Sequence, residues 1–395
     1  MDKVKIFNGK IITPYRVIED GCILIEGKKI IEVSDKNIKT EDYKLIDAGG
    51  KYIAPGFIDI HVHGGGGHDF MDGTLEAYLG AAEKHAEYGT TSMVPTTLTS
   101  TFEELRNTFL IFKEAKLKNK KGSELLGLHL EGPYFAMSQK GAQDPKYIKN
   151  PDKREYEEIL NLTGDIIRWS AAPELEGALE FGRYLKQRGI LPSIAHTDAV
   201  DEEVEKAFEN GFSHVTHLYS AMSSVRRINA FRYAGVIEAA YLIDEMTVEA
   251  IADGIHLPKS LLKLIYKIKG ADKIALVTDA MRAAGMPEGE SILGSINNGQ
   301  KVIVEDGIAK LMDRTAFAGS VATADRLIRT MVNEAQVSLI DVVKMMTSTP
   351  AKIIGVENER GRIVKGLNAD IVIFDDNINI DATIIGGKIV FSRSI

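Results

Sequence analysis

Between residues 57 and 278, short and nearly continuous apolar runs alternate with segments of helical periodicity, and this alternation restricts the fold more than any other feature. The runs at 57–63, 91–97, 125–131, 166–172, 191–196, 214–218, 247–252 and 274–278 read as strands. Helical spacing occupies 75–88, 102–116, 178–188, 201–210 and 259–269. Strands apolar on both faces need cover on both, which a parallel sheet flanked by helices supplies. Eight such units imply a sheet closed on itself, so the expected fold is an α/β chain built on a (β/α)8 TIM barrel. An irregular, hairpin-like stretch at 301–317 follows, then helices at 323–334 and 339–346.

The two ends read differently. Short β-rich runs at 3–7, 22–25 and 29–33 are broken by Asn8-Gly9 and Glu26-Gly27, the punctuation of hairpins. Runs at 370–374, 382–385 and 388–392, with Gly386-Gly387 between the last two, repeat the pattern. Neither end holds enough strands to bury a core alone. The expectation is a small β-sandwich assembled from 1–53 and 351–395, with the termini meeting and the barrel spanning 54–350.

Composition narrows the chemistry. With 44% hydrophobic and 26% charged residues the 395-residue chain is of ordinary globular composition. A net charge of −8 argues against a broad basic face for nucleic acid or anionic membrane. Lysines 113, 116, 118, 120 and 121 end a helix and read as solvated surface. One cysteine, Cys22, leaves neither an intramolecular disulfide nor a Cys-based zinc cluster, so a metal would need His and carboxylate ligands. No apolar run approaches the ~18 residues that span a bilayer and the start lacks a cleavage-type signal, so a cytoplasmic protein is expected.

In such barrels the active site lies at the C-terminal ends of the strands. Here six of the eight deliver a histidine or carboxylate to that rim: His61 and His63, Glu131, His196, His217, Asp253 and His256, and Asp279. His61 and His63, two apart on a strand, face one side and can grip one ion. Glu131 ends an apolar strand, where an unpaired carboxylate is costly to desolvate. Singly each has a plainer reading: a packed or surface histidine, a structural salt bridge at Glu131, a helix cap at Asp279, loop packing at His256. Together they match a site for zinc or a similar divalent ion, with Asp279 suited to proton transfer beside it. Gly64 to Gly67 precede no Gly-Lys-Ser/Thr, so they read as an open turn over the site, not a phosphate loop. His68, His85, His129 and His214 are set aside, the first two on a loop and a helix and the others on strand positions taken to face away.

Pro55-Gly56-Phe57-Ile58-Asp59-Ile60-His61-Val62-His63-Gly64 resembles the entry strand of the amidohydrolase superfamily. His129-Leu130-Glu131-Gly132-Pro133-Tyr134, Ala195-His196-Thr197-Asp198-Ala199, Thr216-His217-Leu218-Tyr219-Ser220-Ala221-Met222, Ala252-Asp253-Gly254-Ile255-His256, Val277-Thr278-Asp279-Ala280 and Ala318-Gly319-Ser320 look like the set shared by N-acetylglucosamine-6-phosphate deacetylases. The resemblance implies a metal on Glu131, His196 and His217, and a second site completed by His61, His63 and Asp279 with Glu131 shared. It implies one or two ions, Zn²⁺ first, with Fe²⁺, Mn²⁺ or Co²⁺ as alternatives. Asp279 corresponds to the proton donor and acceptor. Ala142 and Gln143, Ser220 and Ala221, Asp253 and His256, and Phe317, Ala318 and Gly319 match substrate-contacting positions. Gln143 stands where several members have a histidine, and Ser220 replaces a common asparagine, so polarising the acetyl carbonyl is expected to rest more on the metal.

The resemblance further implies a homodimer, or a higher homo-oligomer, in which a neighbouring subunit's arginine holds the substrate phosphate. Arg226, Arg227 and Arg232 lie near the matching place and Arg227 is the choice, although three arginines together also read as plain surface charge. The implied activity is metal-dependent hydrolysis of N-acetyl-D-glucosamine 6-phosphate, an amino-sugar phosphate, with another N-acetylated amino-sugar phosphate or a cyclic amide as the alternative substrate. A non-catalytic scaffold is the reading from a different class; it would tend to lose ligands, and none of the proposed ones is missing.

Overall fold

The computed structural model describes residues 2–393. Its centre is a ring of parallel strands in chain order: Phe57–Val62, Thr90–Thr97, Leu128–Glu131, Ile166–Ala171, Leu191–Ile194, His214–Val215, Thr247–Ala250 and Ile274–Leu276. Each pairs in parallel with the next. The ring closes just beyond the eighth strand, where the Asp279 amide donates to the His61 carbonyl at 2.9 Å and Val62 bridges Ala280. This is the TIM barrel expected from the alternating pattern.

Helices cover the ring. Phe102–Lys118 begins at Thr101, whose hydroxyl accepts from the Glu104 amide while Glu104 reaches back to the Thr101 amide, a capping box that fixes where the helix starts. Lys153–Leu162, capped by Asp152, and Val236–Leu242 complete the cover after the third and sixth strands. The hairpin-like stretch is a three-stranded antiparallel sheet, Gly289–Leu293, Gln300–Glu305 and Ile308–Leu311. Its apolar face, Leu293, Val302, Val304 and Ala309, packs on Met281 and Ala318 beside the barrel mouth.

The ends form one hydrogen-bonded sheet of eight strands. Tyr52–Pro55 of the N-terminal part pairs antiparallel with Ile371–Phe374 of the C-terminal part, so the termini do meet. A core of isoleucines, among them Ile6, Ile23, Ile30, Ile53, Ile371 and Ile384, draws on strands from both ends. Asn8-Gly9 is not a turn. The first strand runs through it, Lys3–Ile12, with Asn8 at φ 57° and a register shift against Val17–Glu26, which marks a bulge. A side chain at Gly9 would lie 2.6 Å from Ile53, so the neighbouring strand requires glycine there.

Candidate metal centre

All six expected donors stand at one end of the barrel. His61, His63 and Asp279 bring one ligand atom each to within 4.8 Å of one another, and Glu131, His196 and His217 do the same. Glu131 joins the two groups. Its Oε1 lies 3.0 Å from His217 Nε2, 3.4 Å from His196 Nε2 and 3.6 Å from His61 Nε2, while Oε2 is 3.3 Å from His63 Nε2. Asp279 Oδ1 lies 3.2 Å from His63 Nε2 and 3.5 Å from His61 Nε2.

Local backbone geometry delivers these groups. His61 and His63 share a strand face. His196, His217 and Asp279 lie just past their strand ends with φ of 47°, 29° and 47°, left-handed corners that non-glycine residues rarely adopt. Such corners cluster at functional sites, where surrounding structure over-determines them.

The donor set fits a divalent cation. Ligand atoms ~2.0–2.1 Å from a tetrahedral ion sit about 3.3 Å apart, the spacing found here. His61 Nε2 and His63 Nε2 also face each other at 3.3 Å among carboxylate oxygens, a crowding of lone pairs that a cation relieves. Burial pushes Glu131 upward, but the neighbouring His61 and hydrogen bonds from His196, His217 and His63 hold it well below the usual carboxylate range. Burial opposes charge on Asp279 too, and His61 and His63 keep it low. Burial lowers His63, yet its contacts with Asp279 and Glu131 raise it well above an ordinary histidine. The neighbouring histidines thus favour the anionic form of both carboxylates against the cost of burial.

A cavity of about 450 Å³ opens over the donors. Among the expected substrate contacts, Ala142, Gln143, Ser220, Ala221, His256, Phe317 and Gly319 line it. Asp253 does not. It is buried behind His256, accepting from His256 Nδ1 at 2.7 Å and so leaving Nε2 as the ring atom available to a ligand. Ala318 is also buried, its amide bonded to Ala309, so it shapes the wall without lining it. His61 sits beneath the cavity floor. Gln143 is committed on both sides: its Oε1 accepts from the Thr99 amide and its Nε2 donates to Glu131 Oε2, each at 2.9 Å.

Arg227 lies outside this cavity, exposed on a hairpin of Arg226–Ile228 and Phe231–Tyr233. Arg226 is occupied within the chain, donating to the Asp198 carbonyl at 2.6 Å.

Two discounted histidines lie inside the barrel. His129 shares Glu131's strand face, as a spacing of two requires, and stacks edge-on against His61 at 4.8 Å. His214 Nε2 is 3.4 Å from Glu249 Oε1. Neither belongs to a donor group, but both join a buried polar layer under the site that includes Arg168 and Glu249. Charges inside apolar strands, Ile166-Ile167-Arg168-Trp169 and Val248-Glu249-Ala250, were the available signal for it. Gln139, Tyr219, Leu98 and Leu293 also line the cavity without having been foreseen.

Residues 52–390 match the Amidohydrolase family. The N-acetylglucosamine-6-phosphate deacetylase of Bacillus subtilis (strain 168) is 35% identical over 386 residues, covering 96% of this chain and 95% of that protein. The N-acetylgalactosamine-6-phosphate deacetylase of Escherichia coli O157:H7 is 30% identical over 338 residues, covering 85% and 87%. The crystal structure of N-acetylglucosamine-6-phosphate deacetylase from Pasteurella multocida aligns with a TM-score of 0.91 at 29% identity, covering 98% of this chain and 99% of that one. With the barrel, the rim donors and these relatives in agreement, the chain belongs to the amidohydrolase family and groups within it with the N-acetylglucosamine-6-phosphate deacetylases.

Proposed function

We propose that the chain hydrolyses the acetamide of N-acetyl-D-glucosamine 6-phosphate to D-glucosamine 6-phosphate and acetate, serving amino-sugar catabolism and cell-wall sugar recycling in the cytoplasm. The observation that carries this reading is the convergence of two donor groups on one carboxylate, Glu131, at the floor of a cavity large enough for a sugar phosphate. Zinc is the ion proposed, in one site or two. Glu131, His196 and His217 would hold the first, and His61, His63 and Asp279, sharing Glu131, the second. Such an ion, when bound, polarises a carbonyl and acidifies water.

Asp279 faces the cavity and takes the proton of the attacking water; as the C–N bond breaks it returns that proton to the nitrogen. His256, oriented by Asp253, offers Nε2 to the substrate. Gln143, its Nε2 tied to Glu131, is not free to donate to the acetyl oxygen, a role that a bound ion would supply. The chain is proposed to work as a homodimer, with Arg227 reaching the neighbouring subunit's cavity; its planar fork suits phosphate. The proposed division is a barrel at 54–350 and an accessory domain from 1–53 with 351–395.

A galactosamine epimer is the second reading, favoured by the Escherichia coli relative named for it. Acetate release by the zinc-loaded protein from N-acetylglucosamine 6-phosphate, N-acetylgalactosamine 6-phosphate and unphosphorylated N-acetylglucosamine tests both. Fastest release from the first, abolished by chelation and restored by zinc, is expected. Chelation-resistant turnover, or none on any of the three, contradicts the proposal.

A further inference from the structure

Beneath the metal centre the barrel interior carries a fully buried ion pair, Arg168 with Glu249. Glu249 Oε2 lies 3.0 Å from His61 Nδ1 and accepts from the His217 amide, also at 3.0 Å. One oxygen therefore touches a residue from each donor group. Oε1 is engaged by Arg168 and faces His214 Nε2. Arg168 is fixed in turn: it donates to Ser193 Oγ at 2.9 Å, the Ile60 carbonyl at 3.2 Å and Thr216 Oγ1 at 2.7 Å. The carboxylate of Glu249 has no freedom to swing away.

We infer that Glu249 is a positioning residue of the metal centre: by accepting the Nδ1 proton of His61 it keeps His61 Nε2 bare and aimed at the strand-one donors, and so governs whether they bind an ion. The inference rests on the proposed metal-centre reading. An imidazole ligates only through a nitrogen without a proton, and the partner of its other nitrogen sets which one that is. Among the four candidate histidine ligands, only His61 and His196 have that far nitrogen held, His196 Nδ1 lying 2.8 Å from the Gln139 carbonyl. The Nδ1 atoms of His63 and His217 are buried without a hydrogen-bond partner among the described residues. Stability alone is a weak reason for the pair, since buried ion pairs are often replaceable by apolar side chains of similar volume without loss.

The test is zinc content and zinc affinity of the full chain, stripped and reloaded, for wild type, E249Q, E249D and H61N. In E249Q the amide oxygen is claimed by Arg168, which turns the NH₂ toward His61 Nδ1 and drives the ring proton to Nε2. The ion at His61, His63 and Asp279 is expected to bind about 10- to 100-fold more weakly, and that at Glu131, His196 and His217 to lose less, since Glu249 meets His217 through its backbone amide and not its ligating ring. E249D keeps the charge opposite Arg168 but withdraws from His61 by one methylene, and the same preferential loss is expected with a smaller fall in metal-free melting temperature than in E249Q; this variant decides the matter if E249Q does not fold. Wild-type binding of both ions by E249D or E249Q, with H61N losing one, overturns the role of Glu249 and leaves the metal-centre reading standing. Unchanged zinc binding in H61N overturns the site at His61, His63 and Asp279 and with it the role of Glu249, leaving the ion at Glu131, His196 and His217; wild type that binds no zinc overturns the metal-centre reading itself.

Discussion

Asp279 is the residue at which the proposed ion binding and proton transfer would meet, because its carboxylate touches His63 and His61 on one side and the cavity on the other. Asp279→Asn keeps the shape and a ligating oxygen but removes the proton acceptor. Turnover is expected to fall by about 10²- to 10⁴-fold with the Glu131 ion retained, as steady-state kinetics and metal analysis of the same preparation would report; wild-type turnover would contradict its role. How far such residues could be read in advance depended on the backbone beneath them. His61 and His63 follow from strand alternation, and Glu131 from the cost of a carboxylate after Leu128 and Leu130. His196, His217 and Asp279 were legible as strand-end residues, but the left-handed corners that turn them inward have no local signature in a non-glycine residue. His129 was misread, since alternation already puts it on Glu131's face, whereas Glu249 escaped because its partner Arg168 comes from a distant strand that only the closed barrel brings alongside.

At the scale of elements, the barrel mouth is tied by Arg282. Its guanidinium donates to Asp72 and the Gly67 carbonyl, which follow the barrel strand Phe57–Val62, and to the Ile292 and Gly294 carbonyls at the edge of the three-stranded sheet. Arg282→Met leaves partly buried Asp72 without its counter-charge. A loss of about 3–5 kcal/mol is expected in denaturant unfolding, and a loss under about 1 kcal/mol would show that the loops hold without this tie. Strand and helix positions were largely visible from apolar periodicity and caps such as Thr101. The Asn8-Gly9 bulge was not, since the same dipeptide serves hairpin turns, and the choice was made by Ile53 packing against the glycine. The strand Gly289–Leu293 stayed hidden for a similar reason: only Leu293 of its five residues is fully buried, so no apolar run announces it.

Across the whole molecule, the terminal sheet needs both ends of the chain while the proposed metal centre draws on barrel strands one, three, five, six and eight. Placing Arg227 at a neighbour's cavity requires its hairpin to meet another subunit, and that hairpin exposes Phe231 (73% accessible) together with Val225, Ile228 and Tyr233. Phe231→Asp is expected to shift the mass seen by light scattering toward the 43.4 kDa monomer; an unchanged assembly would place the interface elsewhere. Topology at this scale was legible because eight repeats of one unit admit few arrangements, whereas subunit contacts depend on a surface whose partner no single chain contains. The central claim, six side chains gathered around shared ions, is tested most directly by anomalous diffraction at the zinc edge from crystals of the zinc-loaded protein. The expected result is a peak ~2.0–2.2 Å from Glu131, His196 and His217. An active, zinc-containing protein whose anomalous peaks all lie away from these residues would contradict it.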